Sequence, residues 1–273
     1  MAVLFRTLRR ERQTLSGWLP NVSAPTTAVG LAVCSVVVGL ALWQVLAGWA
    51  MRSPLFPTPA ETVHAFVRHA ASGKLLGDVN ASMARLLIGW SVGGLWGIAL
   101  GLAMGAFRPV RYYFEPAIQF LRFIPGIAWI TPFTVWWGVG ELSKVMLILY
   151  TSTFIVMLNT MMGVFALPPA RIRAARCFEA GPFDIFFHVT LPSTVPFIVT
   201  GLRISMGNSF MILVAAEMLA SDRGLGFLIF NSRSYLATDL IFVGIITLGA
   251  LGLASDFVFH SLAARLLRRY RYR

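Results

Sequence analysis

The residues equipped for chemistry are few and scattered. The four histidines, His64, His69, His188 and His260, have no metalloprotease spacing. Cys34 falls in the first apolar run and Cys177 in a polar loop, so neither a disulfide nor a zinc site is expected. Lys74 and Lys144 are the only lysines, and neither is followed by Ser or Thr behind a glycine-spaced loop. A phosphate-cradling P-loop is therefore missing from the sequence. No catalytic constellation, metal site or cofactor held by this chain is expected.

The densest polar feature is residues 168–192, PPARIRAARCFEAGPFDIFFHVTLP. Ala174 and Ala175 stand among Arg171, Arg173 and Arg176. Pro168-Pro169 stops the preceding apolar run, and 170–179 is expected to be helical. Gly181-Pro182 reads as the stop of that helix, because glycine tolerates the left-handed conformation and proline cannot continue it. A second segment, 183–189, leads to Leu191-Pro192 and the next apolar run. A small-residue helix of this kind suits the grip of another protein; a plain amphipathic connector would explain the arginines but not the paired alanines.

The elements that position this loop belong to a membrane. Hydrophobic residues make up 57% of the chain and charged residues 12%, against roughly 25% charged in soluble domains. Uncharged runs fill the intervals between Arg12 and Arg52, Arg85 and Arg108, Arg122 and Glu141, and Lys144 and Arg171. Each approaches or exceeds the roughly 20 residues that cross a bilayer core. Without water at that depth the backbone must bond to itself, so helices are expected. Two further runs bring the expected count to six spans: 28–50, 86–106, 117–138, 144–167, 193–217 and 239–261. The fold class is thus an all-α polytopic membrane protein, with an N-terminal segment 1–27, a six-helix domain 28–264 and a basic tail 265–273. The first run has a basic leader but is long for a signal-peptide core, and reads as a retained anchor.

Arginines orient the spans. Arg6, Arg9, Arg10 and Arg12 precede the first, and Arg265, Arg268, Arg269, Arg271 and Arg273 follow the last. Both termini, and residues 168–192, are expected in the cytoplasm. This bias explains the net charge of +12 better than nucleic-acid binding does.

Smaller features complete the reading. Thr58-Pro59-Ala60-Glu61 is a capping box that starts a short amphipathic helix, 59–72, with Val63, Phe66, Val67 and Ala70 on one face. It reads as a lid lying at the outer membrane surface. Gly89, Gly93, Gly97, Gly101 and Gly105 recur every four residues, a ridge that admits a second helix at close range. Its 40° drift per turn suits a crossing partner, and packing within the chain is preferred to a dimer seam. Arg203, Asn208 and Ser209 in the fifth span and Asn159 in the fourth are polar at membrane depth and are the candidate pathway residues. Arg122 is expected to pair with Glu115, and Glu217 to cap structure at the outer end.

The loop resembles the cytoplasmic coupling loop of permease subunits in binding-protein-dependent ABC importers. That pattern begins Glu-Ala-Ala, places glycine four residues after the second alanine and ends Leu-Pro. Ala174, Ala175, Leu191 and Pro192 match it; Arg173 stands for the leading Glu, and Glu179 occupies the glycine position. With glycine displaced to Gly181, the helix is expected to end half a turn late. The strings from Ser53 to Pro59, Trp136 to Lys144, Thr200 to Ile204, Ala215 to Glu217 and Arg223 to Gly226 look like the nitrate/sulfonate/taurine-type permeases. The resemblance covers about residues 50–260. It implies a type I importer permease in the bacterial inner membrane, working as a homodimer. Two ATP-binding subunits would hold ATP and Mg, and a periplasmic or extracellular solute-binding protein would deliver a small, anionic solute. The competing readings are an ATP-independent channel, which needs no coupling loop, and a membrane-embedded enzyme, which needs paired acidic, His or Cys residues.

Overall fold

The structure, a computed structural model, describes residues 25–51 and 55–267. Most of the basic N-terminal segment, the Ser53-Pro54 part of one motif and the tail arginines from Arg268 onward lie outside the described residues. The chain divides into two compact units, residues 1–61 and 62–273. In the first, α1 (Pro25–Val45) continues into a wider π-helical stretch, Leu46–Met51. The Trp43 indole donates to the Pro57 carbonyl at 3.0 Å. Thr58 and Glu61 form the expected capping box: Thr58 N–H donates to the Glu61 carboxylate at 2.8 Å, and Glu61 N–H to Thr58 Oγ1 at 3.2 Å. This launches α2 (Pro59–Ala71).

The second unit is helical throughout its regular elements. It contains α3 (Lys74–Ala106), α4 (Arg108–Leu121), α5 (Ile130–Trp137), α6 (Glu141–Phe165), α7 (Pro169–Cys177), α8 (Pro182–Ile185), α9 (Leu191–Ala220), α10 (Leu225–Ser234) and α11 (Thr238–Leu266). Among the described residues, α3, α6, α9 with its leading turns, and α11 are long and apolar enough to cross a membrane. Large side chains such as Leu95, Trp96, Leu253 and Phe257 point outward, as hydrocarbon contact allows.

The six-span expectation needs two corrections. The third span is not one helix over 117–138: α4 and the pair Gly126–Trp129 plus α5 meet at a 92° bend, so among the described residues the helices long and apolar enough to cross number four, or five with the bent pair. Pro125 lacks an N–H to continue the ladder, and Gly126 lies so close to Ile212 and Thr151 that a Cβ would stand 2.9 Å from each. The second span begins twelve residues before position 86, at Lys74, because Arg85 sits inside the helix with its charge matched rather than at a boundary. The first run is helical from Pro25 to Met51, and Val33–Trp49 is its apolar part.

The glycine ridge fixes the centre of the bundle. A Cβ on Gly89 would stand 2.7 Å from Ile148, on Gly97 2.8 Å from Thr153 O, on Gly101 2.6 Å from Met157 O and on Gly105 2.6 Å from Val164. Gly93 meets Leu149 and Ser152 in the same way. Residue numbers rise together along α3 and α6, so the two helices run parallel. Instead of crossing once, α6 follows the ridge over its whole length. On another side of α3, the Trp90 indole donates to Leu202 O and Ser205 Oγ of α9, each at 3.0 Å.

Helix α2 packs on the bundle through a strip other than its expected apolar face. Thr62 and Ala65 are buried, Ala65 against Leu75, Leu225, Leu228 and Val243, whereas Val63, Phe66 and Val67 are exposed. Its far end is closed by Gly73 at φ 74°.

Candidate functional site

Three groups of functional residues emerge. The first is the loop 168–192. Helix α7 starts at Pro169 and buries no residue. It stops at Cys177, with Glu179 in the left-handed region at φ 59°. Glu179 N–H donates to Arg176 O at 3.0 Å and Ala180 N–H to Ala175 O at 3.2 Å, the paired bonds of a Schellman turn. The helix therefore ends where the family glycine would end it, not half a turn later. Gly181, expected to be the stop, has φ −67° and instead precedes α8, its N–H donating to Asp184 Oδ2 at 3.3 Å.

Phe186 stacks on Phe107 at 6.4 Å between centroids, and Arg171 Nη1 reaches Ser193 Oγ at 3.4 Å. The loop is thus tied to the ends of α3 and α9. Arg173 and Ala174 are exposed and Ala175 half-buried. Beside them Phe178, Phe183 and Phe187 are 87%, 76% and 56% exposed. Three aromatic rings in the open on a loop this polar form a surface suited to a protein partner. Leu191 and Pro192 begin α9 as half-buried residues.

The second group is an ion cluster that the sequence reading missed. Glu217, in the last turn of α9, is fully buried, and through the Gly226 amide it caps the start of α10. Its carboxylate accepts from Ser82 Oγ at 2.8 Å, Arg85 Nη1 at 2.7 Å and Gly226 N–H at 2.8 Å. Arg85 also binds Glu141 through Nε and Nη2, and donates to Arg223 O at 2.7 Å. Lys144, itself buried, bonds Glu141 at 3.0 Å and Ser221 Oγ at 3.1 Å. These bonds join α3, α6 and α9 to the loop that carries Arg223-Gly224-Leu225-Gly226. Gly224 has φ 122°, and a Cβ there would lie 2.5 Å from the Glu217 carboxylate. The available signal was a charge inside an apolar run, which at membrane depth requires a partner.

The third group surrounds Arg203. Its Nε and Nη2 donate to the two oxygens of Asp256 on α11 at 2.7 and 2.8 Å. The pair is open, with side chains 52% and 39% exposed. Cavities of about 520 and 450 Å³ lie beside it, and both are lined by Arg203, Gly207 and Asp256. The other candidate pathway residues are placed differently. Ser209 is buried, donates to Ser205 O at 2.7 Å and bonds Ser152 Oγ at 2.9 Å, so it joins helices and does not line a passage. Asn159 donates to Ile155 O at 2.8 Å and packs on Gly201. Asn208 is half-buried beside Gly207. Arg122 does not pair with Glu115: its guanidinium lies over Phe123 at 4.9 Å, and Glu115 faces Arg111 at 3.8 Å, one turn away on the same helix.

Comparison with known proteins decides what this assembly is. The model of the binding-protein-dependent transport system inner membrane component matches residues 93–272. The chain belongs to that family. It is a permease subunit of an ABC importer, of the nitrate/sulfonate/taurine type, and a transport component rather than an enzyme. The permease is 32% identical to the taurine transport system permease protein TauC of Escherichia coli over 87% of this chain and 89% of that one. It is 32% identical to the nitrate import permease protein NrtB of Synechocystis over 91% and 90%. Its fold is similar to that of a chain in the inward-facing MetNI methionine ABC transporter, with a TM-score of 0.62 and 18% identity over 74% of this permease and 99% of that chain. The family description places the permease in the inner membrane and makes it dependent on a binding protein.

Proposed function

We propose that the permease carries a small anion, of the sulfonate, taurine or nitrate kind, and that loop 168–192 couples its movement to a separate ATPase. The observation that carries this reading is the loop itself. An anchored helix with no fully buried residue displays Ala174 and the exposed ring of Phe178, with Ala175 half-buried beside them. Similarity to TauC and NrtB supports the solute class. Two permease copies would form the passage, each coupling loop seated on an ATP-binding subunit that holds ATP and Mg. A solute-binding protein would dock on the opposite side, and both termini would lie in the cytoplasm with the loop. Of the expected pathway residues, Arg203 and Asn208 remain, while the bonds of Asn159 and Ser209 favour structural roles.

Ala175→Asp tests the coupling. In a groove of the ATPase the carboxylate would lose water without an assured counter-charge, at a cost above the roughly 2–7 kcal/mol of burying an unpaired neutral polar group. The expected variant inserts normally but neither co-purifies with the ATPase nor supports ATP turnover stimulated by loaded binding protein. Full coupling in Ala175→Asp would remove the loop from the ATPase interface. Phe178→Ala should weaken the same association while leaving insertion intact.

A further inference from the structure

We propose that the groove between α9 and α11 is an anion-binding station, and that Asp256 is the built-in occupant of Arg203 which a passing anion replaces. The inference rests on the permease reading and adds to it a residue, Asp256, and a mode of recognition.

The depth of the pair comes first. Arg203 lies about 18 Å along α9 from Leu191, and Asp256 about 15 Å from the end of α11, at 1.5 Å per residue. Charged groups at such depth are not presented to hydrocarbon; they face protein or water. Here both side chains are substantially open, so among the described residues protein does not cover them. The groove is also roomy. The cavities on its two sides hold about 520 and 450 Å³, within the roughly 300–1,000 Å³ range of small-molecule sites. Apart from its own helix backbone, no atom of the described residues lies within 4 Å of where a Cβ would stand on Gly207, Gly249 or Gly252. Its walls are therefore open, unlike the glycine ridge of α3.

The chemistry of the pair selects the ligand. A guanidinium offers a planar fork that fits two oxygens of any oxyanion, whether carboxylate, sulfonate or nitrate. Asp256 takes the Nε–Nη2 edge, and Nη1 has no protein partner among the described residues. An arriving anion can engage Nη1 first and then displace the carboxylate from the other edge. His260, one turn beyond Asp256, lines the 520 Å³ cavity and offers the displaced carboxylate a second partner. A bare arginine would hold an anion too firmly for transport, because conduction needs binding weak enough to release. Competition from Asp256 supplies that weakness and keeps the empty groove neutral.

Thiol labelling of the complete transporter tests this without knowledge of the natural solute. Cys34 and Cys177 are replaced by Ser, and Gly252→Cys is treated with methanethiosulfonates that carry either a sulfonate or an ammonium group. Both reagents should react from water. Asp256→Asn should raise the rate of the sulfonate reagent relative to the ammonium reagent by about tenfold, the lower end of electrostatic rate effects, and added Arg203→Gln should cancel the gain. If Asp256→Asn does not assemble, the exchange Arg203→Asp with Asp256→Arg keeps a pair and should change the sulfonate-to-ammonium ratio. Reaction only with a membrane-partitioning maleimide, or a ratio indifferent to Arg203 and Asp256, would overturn the proposal. Uptake of taurine, ethanesulfonate and nitrate by the unsubstituted transporter is measured in parallel. Its failure would count against the permease reading, while labelling alone decides the groove.

Discussion

Arg85 and Arg203 both meet carboxylates within the helical bundle, yet their side chains are 4% and 52% exposed. Arg85 spends all three nitrogens on Glu141, Glu217 and the Arg223 carbonyl. Glu217 in turn receives Ser82 and the Gly226 amide. Every charge in that cluster has a fixed partner, and the partners come from four separate segments. Among the described residues Arg203 has one partner and one unused nitrogen, with cavities beside it. The same functional groups thus serve opposite ends: a saturated, closed cluster holds helices together, whereas a singly paired, open one can exchange its partner. Burial together with bond saturation separates the two roles, where residue type does not.

The comparison fails most visibly if the closed cluster turns out to be dispensable. Glu217→Ala leaves Arg85 short of a partner in a buried site, and breaking a buried pair in this way costs about 3–5 kcal/mol. The amount of permease in the membrane and the melting temperature of the purified protein should both fall sharply. A melting temperature equal to wild type would strip the cluster of its structural role. Gly97→Leu should come next. A Cβ there already collides with Thr153 O and Val156 at 2.8 Å, and overpacking of this sort costs about 1–3 kcal/mol or more. Lower yield, or separation of α3 from α6 detected by cross-linking, is the expected outcome; normal yield and uptake would mean the helices do not rely on this contact.

The open pair gives the contrasting result. Arg203→Ala should leave yield and melting temperature near wild type, because neither partner is enclosed, while uptake of taurine by the assembled transporter drops. A collapse in yield comparable to that of Glu217→Ala would erase the distinction between the clusters. Normal uptake would leave Arg203 outside the transport path.

What the sequence disclosed was local. The apolar runs, the capping box at Thr58 and the glycine spacing all act within a few turns of helix, and each appears in the structure. The Ala174-Ala175 and Leu191-Pro192 pairs likewise carried the family resemblance over a short stretch. What it hid was distant: Arg85 and Glu217 are separated by 132 positions and Arg203 and Asp256 by 53. Charges were read as the edges of spans, a rule that fails when a charge finds its partner inside the bundle. That failure places the start of the second span at residue 86 and leaves the Arg85–Glu217 pair unseen. The bend between α4 and α5 escaped because a charge-free stretch from Arg122 to Glu141 reads as continuous, although Pro125-Gly126 interrupts it.

The smallest expected effect concerns Glu179, where local backbone preference and the family pattern disagree. Glu179 stands at φ 59°, a conformation that costs a residue with a Cβ about 1–2 kcal/mol. Glycine would remove that cost but bring about 0.5–1 kcal/mol of extra chain entropy to be lost on folding. The strain term is larger, so Glu179→Gly should stabilise the turn by about 0.5–1 kcal/mol. The Schellman bonds from the amides of residues 179 and 180 to Arg176 O and Ala175 O provide the readout. Their hydrogen exchange should slow several-fold, short of the tenfold that 1.4 kcal/mol would give. Yield, uptake and ATPase coupling should stay close to wild type, because the Glu179 side chain is exposed and the end of α7 does not move. Faster exchange would mean the carboxylate, rather than the backbone, holds the turn. Loss of ATPase binding with unchanged exchange would instead make Glu179 a contact to the partner, and the departure from the family glycine would then record a difference in that partner's surface.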